Sequence, residues 1–298
     1  MPFVREVFDV PAPIKAWAFV SHVLACSRAQ AQSVLDRGRL RYPNGVCVRK
    51  SERIVGQVAL LHFKALHAPS LKPIFSTPFF EIYHKPKNLY SHPKNYQSFS
   101  LYESVHARNP EARLIHRLDY ETSGLVMVSA QKRYENTLRT LFSARQIKKT
   151  YHAWVQGDIR AYAQGDFSVI LPILEPKSIR GDLGIRCQIS TKGKFSATTI
   201  EILDFCSYTQ RTRLKITPIS GRTHQIRLHL SALGFPIVGE PLYTHDAHAR
   251  AYLDAKKADF QGAFKSLQTK LALEATGLEF ALFGLAYGLY SKEAKRES

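Results

Sequence analysis

The chain has 298 residues, 45% of them hydrophobic, with 42 Lys and Arg against 24 Asp and Glu for a formal charge of +18. That length and apolar content suit one large domain with a small companion and argue against wholesale disorder. Four scattered cysteines (Cys26, Cys47, Cys187, Cys206) form no Cys-x-x-Cys pair, so they suggest neither a disulfide framework nor a zinc site, and a reducing cytoplasm fits. The positive excess points to a polyanionic partner, nucleic acid or an anionic membrane; the plainer reading is a soluble enzyme that is merely basic.

Residues 13–63 read as a compact basic module. Ile14–Leu24 carries apolar residues at helical spacing, and its apolar core is too short to span a bilayer, so no membrane partner and no targeting segment are expected. Ser27 is placed to cap a second helix over Arg28–Asp36, which Gly38 ends. A strand at Arg39–Tyr42, an Asn44-Gly45 turn, Val46–Val48 and a strand at Val58–His62 complete the unit. Arg28, Arg37, Arg39 and Arg41 lie within it as candidate phosphate contacts, although solvated surface charge is the blander explanation. Residues 64–77 mix Pro, Ser and Lys without periodicity and read as a linker.

From residue 78 to 290 strands outnumber helices and do not alternate with them. Phe79–His84, Leu125–Ala130 and Lys149–Val155 read as strands, Ala197–Phe205 and Arg211–Thr217 as a hairpin, and Gln131–Arg145 and Thr223–Leu233 as helices. The expected class is α+β: a mixed, mainly antiparallel sheet flanked by helices, with the small α+β module in front. Ser291–Ser298 reads as a loose charged tail. No glycine-rich phosphate loop is visible, and no His, Cys, Asp or Glu set has convincing metal spacing, so neither a cofactor nor a metal is expected.

The most informative stretch is His116-Arg117-Leu118-Asp119-Tyr120-Glu121-Thr122-Ser123-Gly124, an acid in a loop that leads into an apolar strand. It resembles the HRLD-x-x-TSG signature of the RluA family of pseudouridine synthases. Three further segments match that family in order: Ile82–Pro93, Lys149–Gly157 and Gly221–Gly239, the last containing Gly-Arg-Thr-His-Gln-Ile-Arg. Leu271–Ala275 resembles a weaker fifth segment. The chain departs at His84 and Asn88, where Asn and Gly are expected, at Ser220 and Glu240, where Thr and Asp are more usual, and at Glu274, which replaces His. Ser27–Arg41 similarly resembles the two-helix core of an S4 RNA-binding domain.

These resemblances imply conversion of uridine to pseudouridine in structured RNA, a reaction without net gain or loss of atoms. Asp119 is implied as the catalytic nucleophile, Arg227 as the cation that keeps it ionised, and Tyr151 as the residue beside the base. Arg117 is implied to fill the gap left by the flipped uridine. Leu273 is implied as the apolar floor, with Leu271 as its rival. His116, Arg222 and His224 are placed with the substrate; for both histidines structural hydrogen bonding is preferred to acid–base or metal chemistry. On the expected helix, His224, Arg227 and Leu228 share a face opposite Ile226 and Leu230, which leaves Arg227 free to point into a site. The expected substrate is large-subunit ribosomal RNA, with transfer RNA as the alternative, and the expected state is a monomer. A non-catalytic ribosome-assembly factor is the second class of function. A carboxylate-dependent hydrolase is the third; it needs a second acid, and Glu121 is expected to point elsewhere.

Overall fold

A computed structural model describes residues 3–63, 70–93, 100–176, 186–259 and 270–291. The chain divides after Ala68 into two compact units.

The first unit is a three-stranded antiparallel sheet, β1 (Phe3–Lys15), β3 (Arg53–Phe63) and β2 (Leu40–Arg41), in the order β1-β3-β2, with two helices, α1 (Ala16–Leu24) and α2 (Arg28–Asp36). Ser27 caps α2 through a reciprocal pair: its hydroxyl accepts from the Gln30 backbone and the Gln30 side chain accepts from the Ser27 backbone. Phe19, Val20, Ala31, Leu35, Leu40, Ile54, Val58 and Leu60 form the core. The module begins earlier than residue 13. β1 pairs with β3 along its length and shifts register between Val10 and Ile14, where Pro11 and Pro13 fall. Two prolines hide the strand from pattern reading, and the edge position with a bulge is what lets a strand carry them.

The second unit is built on a ten-stranded sheet. Its strands are β4 (Phe75–Ser76), β5 (Phe80–Lys85), β6 (Arg113–Leu114), β7 (Ser123–Ser129), β8 (Lys148–Gln156), β9 (Phe167–Ile170), β12 (Ala197–Cys206), β13 (Arg211–Pro218), β14 (Leu273–Leu282) and β15 (Leu285–Tyr290), and β10 (Ile173–Leu174) pairs with β11 (Gln188–Ile189) apart from it. The order along the sheet is β4-β5-β7-β14-β8-β13-β12-β9, with β6 beside β7 and β15 beside β14; every pairing is antiparallel except β7 with β14. Helices α3 (Leu101–Arg108), α4 (Glu135–Ser143), α5 (Gln225–Ala232) and α6 (Asp246–Asp259) complete the unit. The expected linker of residues 64–77 is shorter at its far end, because Phe75 and Ser76 pair with β5 and the Phe75 ring packs on Phe80; residues 64–69 of it lie outside the described residues, as do residues 292–298 of the tail. No helix among the described residues is long and apolar enough to cross a membrane.

β14 is the keystone for position. It enters between β7 and β8, pairing Glu274 with Ser123 on one side and Ala275 with Tyr151 on the other. Gly124 is required at this crossing. Its φ is +119°, and a Cβ there would stand 2.2 Å from the Ala275 carbonyl oxygen. The register of β14 against β8 shifts between Ala275 and Gly277, a bulge opposite Tyr151. Four neighbouring strands thus bring the loop before β7, Tyr151 of β8, the start of β14 and the segment after β13 to one place.

Candidate active site

Asp119 sits in the turn between β6 and β7, and the turn is fastened from below. The Ser91 hydroxyl donates to the Leu118 carbonyl (2.9 Å) and accepts from the Leu118 N–H (3.0 Å), while the Thr122 N–H closes on the Asp119 carbonyl (3.2 Å). Lys85 is fully buried and donates to the carbonyls of Pro86, Leu89 and Tyr120. Burial draws its ammonium down to about 7; the Asp119 and Glu121 charges act in the opposite direction, and three carbonyl acceptors favour the protonated form. Asn88 takes φ +58°, the left-handed turn conformation for which the family pattern has Gly, and Asn is the other residue that tolerates it.

Arg227 lies on α5 with its side chain wholly buried. Its Nε and Nη2 form a fork on Glu240 at 2.8 and 2.7 Å, Nη1 donates to Glu121 at 3.0 Å, and Asp119 Oδ2 stands 3.8 Å from Nη1. Burial works against this charge, and the Glu240, Glu121 and Asp119 carboxylates outweigh it, holding the guanidinium well above its ordinary pKa.

Two expectations are corrected here. Glu121 does not point away: it is buried, and Tyr252 of α6 also donates to it. Nor does Arg227 hang free from an amphipathic helix. Every residue from Gln225 to Leu230 is buried, so a two-face reading fails, and Leu228 joins a separate cluster with Leu242, Tyr243 and Tyr252. The helix starts at Gln225, two residues late, because His224 caps it with φ +55°. Ser220 serves the same end: it donates to the Gln225 side chain at 2.6 Å, which also accepts from the Arg222 N–H.

A cavity of about 260 Å³ opens beside Asp119, and all eight site residues expected in this unit line it: Asp119, Tyr151, Arg227, Arg117, His116, Leu273, Arg222 and His224. Leu271, the rival floor residue, is buried in the core and does not line the cavity. Tyr151 is partly buried; burial, reinforced by the Asp119 charge, holds its hydroxyl protonated well above the ordinary phenol range. Arg117 is exposed at the mouth. His116 is fixed from the side away from solvent: its Nε2 accepts from the Met127 N–H at 3.0 Å, its ring lies 4.5 Å from that of Phe142, and burial with nearby Lys149 lowers its pKa to about 3. His224 Nδ1 is 2.8 Å from the Tyr243 hydroxyl. That oxygen also accepts from the Cys187 N–H, and the other ring nitrogen of His224, Nε2, faces Asp119 Oδ2 at 4.0 Å. Two of the chain's departures meet nearby: His84 Nε2 pairs with Glu274 at 3.2 Å.

In the first unit, Arg28 is exposed with its guanidinium 4.5 Å above the Trp17 ring, and Arg37 is exposed at the end of α2. Arg39 is half-buried. Arg41 donates to the carbonyls of Gly38 and Gly45, so part of its donor capacity holds its own turn.

The profile of the family described as RNA pseudouridylate synthase matches residues 80–232, which span the Asp119 turn, Tyr151 and Arg227. A protein of Helicobacter pylori (strain ATCC 700392 / 26695), described as an uncharacterized RNA pseudouridine synthase, is 40% identical over 99% of this chain and 96% of its own length. This chain belongs to the RNA pseudouridylate synthase family. Within the family it also resembles the dual-specificity RNA pseudouridine synthase RluA of Haemophilus influenzae (strain ATCC 51907 / DSM 11121 / KW20 / Rd), at 32% identity over 63% of this chain and 84% of the relative. Ribosomal large subunit pseudouridine synthase C of Buchnera aphidicola subsp. Baizongia pistaciae (strain Bp) is 31% identical over 70% of this chain and 61% of the relative. The solved human RNA Pseudouridylate Synthase Domain Containing 1 shares the fold, with TM-score 0.57 at 21% identity over 77% of this chain and 86% of that one.

As an RNA pseudouridine synthase, the chain is an isomerase acting on RNA. The candidate site contains groups that pattern reading did not place. Glu240, Glu121 and Tyr252 hold Arg227; Ser91 and Lys85 hold the Asp119 turn; Lys149 lines the cavity. The available signal for Glu240 was its position after Gly239, which turns at φ +78° and where a Cβ would stand 2.6 Å from the Lys270 carbonyl oxygen, so only glycine fits the turn that precedes the carboxylate.

Proposed function

We propose that this enzyme isomerises specific uridines in structured RNA, with large-subunit ribosomal RNA as the substrate and transfer RNA as the alternative, and that Asp119 is the nucleophile. The observation that carries the reading is the convergence of Asp119, Arg227 and Tyr151 on one cavity that an exposed arginine, Arg117, also lines. The target uridine turns out of its stack into the cavity, and Arg117 takes its former place; eversion costs a few kcal/mol, which a filling side chain offsets. Leu273 lies under the base and Tyr151 beside it.

The reaction breaks the N1–C1′ bond, turns the base, forms C5–C1′, and moves one proton from C5 to N1. The Asp119 carboxylate attacks either C6 of the base or C1′ of the sugar, and that temporary carbon–oxygen bond breaks again, the carboxylate being expelled from C6 after C5–C1′ has formed or displaced from C1′ by C5. Arg227 serves it from 3.8 Å, with its better hydrogen bonds spent on Glu240 and Glu121. Asp119 is thereby kept near a cation without being locked to it. A phenol held protonated is a poor resting base, so Tyr151 acts at the last step as a relay, giving its own proton to water as it takes the one from C5, while N1 takes a proton from water. Arg28, Arg37, Arg39 and Arg41 contribute phosphate contacts from an S4-like first unit. The enzyme works as a monomer in the cytoplasm.

The test is carbodiimide-dependent primer extension on ribosomal and transfer RNA from cells with and without this protein. A stop that vanishes from large-subunit ribosomal RNA, and returns with the wild-type gene but not with Asp119→Asn, supports the reading. Equal product from wild-type and Asp119→Asn would instead favour a non-catalytic RNA-binding role.

A further inference from the structure

A second cavity of about 410 Å³, larger than the first, shares a wall with it. Lys149, Pro218, Ser220, Gly221 and Arg222 line both, so together they form a sill between the two spaces. Beyond the sill the second cavity is lined by exposed Ile219 and by the edge of the buried Ile147, with Arg145 and Lys148 as further cations, and no carboxylate lines it.

Part of the charge here is not neutralised. Lys148 approaches Glu279 at 3.4 Å, and the Arg222 Nε donates to the Phe195 carbonyl, which leaves that guanidinium's other donors available. Neither Arg145 nor Lys149 has an ion-pair partner among the described residues. Lys149 is half-buried, and its ammonium is pulled below the ordinary lysine range by burial and by the Arg145 charge. Two neighbouring cations without a counter-ion are unfavourable in isolation and favourable to any anion that settles between them. Residue 221 on this sill is glycine: a Cβ there would stand 3.6 Å from the Lys149 Nζ, an ordinary contact, so a side chain longer than a methyl group is what would crowd the ammonium.

We propose that the second cavity seats the unpaired nucleotide adjacent to the everted uridine, with the connecting phosphodiester lying on the sill against Lys149 and Arg222 and with Arg145 on its outer side. The proposal rests on the first cavity's being the uridine site. An apolar floor with a cationic rim matches a nucleotide, whose base is flat and whose linkage is anionic. A cavity walled on this scale takes a single strand; a duplex would meet only its rim. The enzyme thereby recognises the target within an opened strand and holds it on both sides of a fixed phosphate.

Fluorescence anisotropy with 3′-labelled nonameric oligouridylate tests this, using the full chain at several salt concentrations. Arg145→Asn removes one cation at a residue whose φ of +57° suits asparagine. Gly221→Val blocks the sill without changing charge. Arg133→Ala, on an exposed residue outside both cavities, is the charge-matched control. Arg145→Asn is expected to weaken binding about tenfold and lower the slope of log K against log salt by about 0.7, the value of one single-strand phosphate contact. Gly221→Val is expected to weaken binding with the slope retained, and uridine, which carries no phosphate and fits the first cavity alone, is expected to compete equally against wild-type and Arg145→Asn. Unchanged oligouridylate binding in Arg145→Asn overturns the proposal, as does an equal loss in Arg133→Ala. Should Gly221→Val fail to fold, the Arg145→Asn comparison decides alone. None of these readouts needs turnover, so a wild-type protein that makes no pseudouridine would refute the catalytic reading while leaving this measurement decisive on its own.

Discussion

Three carboxylates surround one buried guanidinium, and they are not equivalent. Glu240 takes the two-pronged contact, Glu121 takes a single bond, and Asp119 is left at 3.8 Å and one-fifth exposed. Removing Glu240 leaves Arg227 buried with too little compensation, so Glu240→Gln should cost about 3 kcal/mol in urea unfolding. Asp119→Asn relieves crowding of like charge. It should leave stability unchanged or slightly higher while product formation disappears, and the same unfolding experiment beside a product assay checks both halves. His116 gives a pH signature. Its pKa is about 3 in the folded chain against an ordinary 6.5. Between those values the unfolded imidazole binds a proton that the folded one refuses, so stability falls as pH drops from 6.5 toward 3, by up to about 1.4 kcal/mol per pH unit. His116→Gln should flatten part of that decline; parallel wild-type and variant curves would show that His116 does not drive it.

At the scale of elements, the decisive contact is the crossing of β7 by β14. Gly124→Ala would press a methyl group into the Ala275 backbone, which cannot move without separating the two strands; the variant should fail to accumulate as folded protein, read by circular dichroism and solubility. Ser91→Ala is milder. It removes both hydrogen bonds to Leu118 and should lower stability by about 1–3 kcal/mol, with activity falling further because the Asp119 turn loosens. The α+β class, the Asp119 turn, the Tyr151 strand and the hairpin of β12 and β13 could all be read from the chain, because each is a local pattern of alternation or turn chemistry. What could not be read is long-range. The partner of Arg227 is a glutamate fixed by a glycine turn, Glu121 is aimed inward by a tertiary clamp from Tyr252, and β1 is a strand broken in appearance by Pro11 and Pro13. Periodicity carries no information on which carboxylate meets which cation across a fold.

For the whole molecule, the charge of +18 sets how RNA is met. Affinity for RNA should fall steeply with salt, since each phosphate contact adds about 0.7–0.9 to the slope of log K against log salt. Replacing Arg28 and Arg37 together with alanine should lower that slope by about 1.5 without altering the Asp119 site; an unchanged slope would mean that the first unit's arginines are solvated surface. The late position of β14 has its own outcome during biosynthesis. A nascent chain that has emerged as far as residue 232 already carries Asp119, Tyr151 and Arg227 yet lacks the strand that separates β7 from β8 and supplies Leu273. Such a polypeptide has no finished pocket, so on the proposed reading its uridine site should form only after the chain from Leu273 onward has folded into the sheet.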